Sequence, residues 1–227
     1  MRTVAIVPAR GGSKGIVRKN LRLVAGKPLI YWSIQCARDA GLEVFVSTED
    51  EEIRGVASSL GALPIVRPMN LASDSATGLD VVLHAVGLCH EEFDNVVVLQ
   101  PTSPLRQVED IKKALNWLRV APSVVSYTSG HKAMVRVEGD TIVPLFKNLN
   151  RQDEPEQTWL NGGIYGARIP KLMEYRTFYM PGVAGMWMPP ERSIDVDREF
   201  DLLVADLLLR HRQEQERVLT VGGNVDE

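Results

Sequence analysis

From Val4 to Val66 the chain alternates short apolar runs with helix-length patterns, and that rhythm admits few folds. Val4 to Val7 reads as a buried strand. Pro28 opens a helical pattern through Leu29, Trp32, Ile34 and Ala37 that stops at Gly41, with proline inside the start and glycine just past the end. Val44 to Thr48 reads as a second strand, Ile53 to Leu60 as a second helix closed by Gly61, and Leu63 to Val66 as a third strand. This βαβαβ order predicts a parallel sheet with right-handed crossovers. Ligands in such sheets bind beyond the carboxyl ends of the strands, so the loop after the first strand becomes the place to look.

That loop is Pro8 to Asn20. Gly11, Gly12 and Gly15 free its backbone to turn and to approach a ligand, and Arg10, Lys14, Arg18 and Lys19 surround them, with no acidic residue before Asp39. Amides and cations converging at a strand end hold phosphate groups. Gly-Gly alone would fit an ordinary solvated turn; the uninterrupted positive charge makes that the poorer reading. The Gly-x-x-x-x-Gly-Lys-Ser/Thr spacing of a P-loop is absent, and Gly-Gly-x-x-Gly is the wrong register for a dinucleotide fingerprint, although Glu49 and Asp50 do follow the second apolar run. So many cations favour a nucleoside triphosphate.

Further along, Arg67 to Thr77 is a polar loop before a helix from Leu79 to Cys89, and the apolar strand Val96 to Leu99 runs straight into Gln100-Pro101-Thr102-Ser103-Pro104-Leu105-Arg106. A proline-stiffened polar loop at a strand end suits rigid ligand contacts, or a plain turn capped by Ser103. A helix from Val108 to Val120 and a strand from Ser123 to Tyr127 follow. The βα rhythm then ends: 131–138 and 141–145 alternate around Gly139-Asp140 as a hairpin, and Lys147 to Gln157 is a long polar stretch of the kind that is often functional. Leu160 to Tyr165 restarts a strand with two glycines, which calls for a close approach. Phe178 to Pro190 is rich in Met and Trp, fitting either a satellite core or a dimer contact that also walls the neighbouring site. Finally, Asp195 and Asp197 at i and i+2 share one face of an extended segment, about 7 Å apart along the backbone. Two such carboxylates repel unless a divalent ion neutralises them; the plainer alternative is a solvated edge strand before a helix from Arg198 to Arg212.

A net charge of −3 over 227 residues leaves no general nucleic-acid footprint. No apolar run reaches membrane-span length and Met1 enters a strand almost directly, so a single cytoplasmic domain without membrane contact is expected. Cys36 and Cys89 have no Cys-x-x-Cys context and read as buried helical thiols, and the four histidines show no ligand spacing.

Ile6-Val7-Pro8-Ala9-Arg10-Gly11-Gly12-Ser13-Lys14-Gly15, continued by Arg18-Lys19-Asn20 and Gly26-Lys27-Pro28-Leu29, resembles the amino-terminal signature of the CMP-sialic acid synthetases, the acylneuraminate cytidylyltransferases. The Arg67-Pro68 to Asp74 loop, Leu99 to Arg106, Leu160 to Tyr165, and Asp195-Val196-Asp197 with Asp201-Leu202 resemble further segments of that family, in matching order. The resemblance implies a three-layer Rossmann-like nucleotide-diphospho-sugar transferase fold over residues 1–227, mainly parallel, with a dimerisation and substrate-completing insertion at approximately 131–190. It implies transfer of the cytidylyl group of CTP to a nonulosonic acid, with Mg²⁺ held by Asp195 and Asp197, in a homodimer. Oxygen ligands beside phosphates suit Mg²⁺ better than zinc. For the nucleotide it implies Ala9, Arg10, Gly12, Ser13, Lys14 and Lys19, with Asn20, Arg67 and Ala76 at the base. For the sugar it implies Gln100, Asn161, Tyr165, Phe178 and Tyr179, with Lys132 and Arg151 reaching the partner subunit's site. Arg10, Lys14 and Asp197 carry the chemistry. Three positions depart from the family pattern: Gly163 where alanine is usual, Thr158 where an aromatic is common, and Val17 where proline is frequent. They leave the reaction type intact and the sugar open, with legionaminic, pseudaminic or KDO acids as alternatives. Outside the class stand a non-catalytic nucleotide-binding module, which the acidic pair opposes, and a NAD-dependent oxidoreductase, which the glycine register opposes.

Overall fold

The computed structural model describes residues 1–73, 75–89, 92–130, 135–138, 141–144 and 156–222. The first strand, β1 (Thr3–Pro8), lies between β4 (Glu43–Thr48) and β6 (Asn95–Val98), parallel to both, and β5 (Leu63–Val66) extends the sheet beyond β4. On the other side of β6 come β10 (Gln157–Arg168), β7 (Ser123–Gly130) and the edge strand β11 (Ala184–Trp187). The order is β11-β7-β10-β6-β1-β4-β5. Only β10 runs against the rest of this sheet, antiparallel to both of its neighbours. Two small ribbons stand apart: β2 (Leu23–Val24) with β3 (Lys27–Pro28), and β8 (Val135–Glu138) with β9 (Thr141–Pro144).

Strand periodicity explains the layers. Ala5 and Val7 face one apolar cluster with Ile30 and Ile34 of α1 (Leu29–Asp39), Ile53 and Ala57 of α2 (Glu51–Ser59), and Ile111 and Ala114 of α4 (Val108–Trp117). Val4 and Ile6 face a second cluster with Val82 and Val86 of α3 (Gly78–Cys89) and with Ile169 and Leu172 of α5 (Ile169–Tyr175). Helices thus cover both faces of the sheet, which is why its strands read as continuous apolar runs. The expected three-layer α/β fold is the one observed, and both cysteines are buried in helices as anticipated.

A third cluster lies off the sheet. Ile16, Leu29, Leu105 and Val196 pack against Leu202, Ala205 and Leu209 of α6 (Glu199–Gly222). This helix runs well past the expected Arg212, because Gln213 to Arg217 are good helix formers and no proline or glycine intervenes before Gly222. β7 also outruns expectation. Its polar residues Thr128 and Ser129 stay in the sheet and are buried because Trp159 and Thr158 of β10 pair with them. The expected pairing of the two alternating runs is present as β8 antiparallel to β9. Residues 193–197 form no strand; Val196 instead donates its N–H to the Thr102 carbonyl at 2.8 Å. Lys132 and Arg151 lie outside the described residues. Among the described residues no helix is long and apolar enough to cross a membrane.

One buried ion pair fixes the carboxyl-terminal segment to the rest. Arg192 grips Asp110 of α4 with Nε at 3.0 Å and Nη2 at 2.8 Å, and Asp110 also accepts the Gln107 N–H at 3.0 Å, capping its helix. Removing one partner of such a pair leaves an uncompensated buried charge. The variant Arg192→Met is expected to lose about 3 kcal/mol of folding stability in a urea titration, while Arg210→Met, which removes an exposed guanidinium and leaves Asp206 bonded to the Ala25 N–H, should lose less than about 1 kcal/mol.

Candidate active site

At the end of β1 the chain turns through its glycine-rich loop, and two carboxylates hold that loop from behind. Glu49 accepts the Gly11 N–H at 2.7 Å, and Asp50, the N-cap of α2, pairs with Arg18. Glu52 pairs with Arg18 as well, which offsets the left-handed backbone of that arginine (φ 55). The loop is packed too tightly at two points for any side chain. A Cβ on Gly11 would lie 2.5 Å from Asp50 Oδ2, and one on Gly15 would lie 2.3 Å from the Asp197 carbonyl oxygen. Ala9 is buried and donates its N–H to the Ser47 carbonyl at 3.0 Å, Gly12 and Lys14 are exposed, and Ser13 is half-buried.

The loop forms one wall of a cleft of about 340 Å³. Arg10, Lys19, Asn20, Arg67, Ala76 and Gln100 line it, so six of the expected site residues come together from three separate loops. Asn20 is buried and donates Nδ2 to the Arg10 carbonyl at 2.9 Å, shaping the loop as well as facing the cleft. Arg67 is almost wholly buried, donating to the Ser47 carbonyl at 2.5 Å and its hydroxyl at 3.2 Å, with Glu49 at 4.0 Å. Burial lowers its pKa, Glu49 opposes that shift, and nearby Arg10 adds to it.

The acidic pair closes the other end. Val196 is buried while Asp195 and Asp197 on either side of it point outward, so the alternation read from sequence holds without a strand. Lys19 reaches Asp197 Oδ1 at 3.0 Å and the Val196 carbonyl at 2.9 Å. The Asp195 carboxylate keeps an open side to solvent yet is crowded by protein. That desolvation raises its pKa above the usual carboxylate value; a hydrogen bond from Thr102 opposes the rise, and Asp197 reinforces it. Gly162 (φ 68) sits at the β10 bulge between the two sides: a Cβ there would lie 3.2 Å from Gln100 Oε1 and 3.9 Å from Asp195 Oδ2. Gly163 leaves room for Met188, whose sulfur would be 3.0 Å from an added Cβ, so the missing methyl is compensated by a side chain from elsewhere.

Beside this bulge Tyr165 packs on Phe178, with ring centroids 5.6 Å apart, and hydrogen-bonds Tyr179. Asn161 is buried: its Oδ1 accepts from Ser126 at 2.6 Å and from the Gly163 N–H at 3.1 Å, and its Nδ2 donates to Ser193 at 2.8 Å. It therefore ties β7, the bulge and the acidic segment together.

Comparison with known proteins follows this geometry closely. The model of the cytidylyltransferase family matches residues 4–180. The chain belongs to the cytidylyltransferase family. It is 32% identical over 229 residues to the CMP-N,N'-diacetyllegionaminic acid synthase of Legionella pneumophila, covering 94% of this chain and 99% of that one. The N-acylneuraminate cytidylyltransferase of Streptococcus agalactiae is 30% identical over 89% of this chain, and that of Escherichia coli 28% over 100% of this chain. The chain spans only about half the length of those two, 52% and 58%. Among solved structures, a CMP:2-keto-3-deoxy-manno-octonic acid synthetase complexed with CTP superposes with a TM-score of 0.71 at 20% identity, covering 93% of this chain and 100% of that one. The 4-diphosphocytidyl-2C-methyl-D-erythritol synthase of Anaerococcus prevotii gives 0.66 at 12%, over 92% and 98%.

As a cytidylyltransferase this chain is a nucleotidyltransferase, and two of its site residues escaped the sequence reading. Thr102 both bonds Asp195 and carries the Val196 N–H, and its position inside the Gln100 to Arg106 loop was the available signal. Glu49, which from sequence is only an acid following the second apolar run, anchors the Gly11 amide.

Tyr165 offers a direct check on the aromatic wall of this cytidylyltransferase. Burial, and then Tyr179, push its pKa up from 10.0 to about 12. Its neutral form is favoured in the folded state, so folding stability falls as pH rises across that window. A tyrosinate absorbance titration should contain one late step that Tyr165→Phe removes, and that variant should lose less stability than the parent between those pH values.

Proposed function

We propose that this cytidylyltransferase couples CTP to a nonulosonic acid of the sialic acid type, giving the CMP-sugar and pyrophosphate with Mg²⁺. The observation that carries the reading is the adjacency of three parts: a cationic glycine loop, a cleft lined by Asn20, Arg67 and Ala76, and a carboxylate pair joined to that loop through Lys19. In the bond exchange, the anomeric hydroxyl oxygen of the sugar forms a bond to the α-phosphorus while the bond from that phosphorus to the pyrophosphate oxygen breaks. Arg10, Ser13 and Lys14 take the charge of the β- and γ-phosphates, with exposed Gly12 allowing close approach and Lys19 completing the loop. Asn20, Arg67 and the backbone at Ala76 face cytosine, whose amino group and ring acceptors they complement. Gln100, Tyr165, Phe178 and Tyr179 line the sugar side, and Asn161 shapes it from below.

The acidic residues fit the proposed metal. Mg²⁺ takes one or two carboxylates and otherwise waters and phosphate oxygens, so the pair Asp195 and Asp197 suffices although the described residues contain no group of three such ligands. Crowding of Asp195 by protein and by Asp197 is the condition a divalent cation relieves. When bound, Mg²⁺ neutralises phosphate charge and polarises the phosphoryl oxygens. A homodimer in the cytoplasm completes the proposal. Exposed Tyr179, Val183 and Trp187 at the β11 edge supply apolar surface for a second copy, with Lys132 and Arg151 serving the partner subunit's site. Legionaminic acid is a second reading for the sugar, favoured by the end-to-end match to the Legionella pneumophila enzyme.

Incubation with CTP, Mg²⁺ and a panel of N-acetylneuraminic, diacetyllegionaminic, pseudaminic and KDO acids should release pyrophosphate with one of them; no release across the panel would overturn the reading. Asp197→Ala should lower kcat by at least about 100-fold with the circular dichroism spectrum unchanged. Gly15→Ala must separate the loop from the Asp197 carbonyl and should raise the KM for CTP by about tenfold or more.

A further inference from the structure

Arg106 is a cation at the centre of the protein, only 3% exposed, and among the described residues no carboxylate pairs with it. Its guanidinium spends its donors on two carbonyls and a hydroxyl: Nε on Gly163 O at 2.7 Å, Nη2 on Gln100 O at 2.9 Å, and Nη1 on Ser33 Oγ at 3.1 Å. Burial lowers its pKa to about 10, so the group remains charged at neutral pH at a cost in desolvation. An apolar residue of similar volume would fill the space without that cost. What the cation supplies is geometry, because a planar fork holds its acceptors at set separations.

The acceptors it holds are informative. Gln100 lies just after β6, and Gly163 follows Gly162, whose α-carbon faces both Gln100 Oε1 and Asp195 Oδ2. Ser33 of α1, fully buried, reinforces the same link by donating its hydroxyl to Gln100 O at 3.0 Å. The Cys36 thiol, one turn further along that helix, donates to the Arg106 carbonyl at 3.5 Å. A single side chain, seated on α1, therefore sets the gap between the loop after β6 and the β10 bulge. Gln100 stands at the edge of the nucleotide cleft, whereas Ser33, Gly162 and Gly163 take no part in lining it.

We propose that Arg106, backed by Ser33, is the positioning residue that holds Gln100 against the Gly162–Gly163 turn and so sets the wall that the acceptor sugar meets. This rests on the reading of that wall as part of the nonulosonic acid site. Ser33→Ala removes one hydroxyl from a helix interior where alanine is well tolerated, and it deletes both the Gln100 bond and one guanidinium contact. Steady-state kinetics on the purified full chain, with thermal melting in parallel, should show the KM for the sugar raised about three- to tenfold and the KM for CTP raised by less. Arg106→Lys keeps the charge but cannot span three acceptors, and where it folds it should show the same asymmetry more strongly. Equal rises in both KM values, or earlier melting with the sugar KM unchanged, would mean that Arg106 only supports the fold and would overturn the proposal. An inactive parent enzyme on every sugar would instead defeat the functional reading on which it stands, a result distinct from either.

Discussion

Ile16, Leu105 and Val196 each sit in the middle of a polar stretch, and all three are buried in one apolar cluster against α6. Everything at the site hangs on that arrangement. Ile16 belongs to the glycine-rich loop, Leu105 to the loop after β6, and Val196 separates the two acidic residues. Polar loops gain little from burial of their own, so their mutual placement has to come from such anchors, each contributing roughly 1.5–3 kcal/mol when fully buried. Because the three anchors share one cluster, moving any of them shifts the others. The site is thereby assembled by packing on a helix that lines none of the nucleotide cleft with its own side chains.

Charge is arranged in shells around this assembly. Arg10 and Lys19 of the first loop face the cleft, and consecutive carboxylates after β4 stand behind the loop, Glu49 on the Gly11 amide and Asp50 on Arg18. The acid behind keeps the loop in shape when no anion fills its front, since a cluster of cations would otherwise repel itself apart. Lys19 links the two sides by bonding Asp197, which couples the loop to the acidic segment across most of the sequence.

Much of this was legible in the chain. From β1 to α4 the elements fall within one to three residues of their expected ends, because glycines at Gly41 and Gly61 stop helices by adopting positive φ and because both-sided burial writes continuous apolar runs. What the sequence could not carry is pairing at a distance. The reversed direction of β10 leaves no local mark, and the length of β7 depends on it. Val196 looks like one half of a strand pattern, yet it is held by a single bond to Thr102 and by the α6 cluster. Asn161 shows the same limit. Its motif assigns it to a ligand, while its contacts with Ser126, Gly163 and Ser193 can be seen only once three elements are assembled.

The pairing of Gly130 with Gln157 at the mouth of β7 and β10 has a consequence for how such a protein can change. Residues 131–156 thus connect two residues of one rung, which makes that span an insertion between paired strands. Its length enters the stability of the sheet only through loop closure, at about 0.6 kcal/mol per doubling. Sequence there can be lengthened, shortened or exchanged without disturbing the register that holds Tyr165 opposite Val125, five rungs deeper in the same ladder. Change in that span therefore leaves β1, β4 and the cationic loop between them as they were.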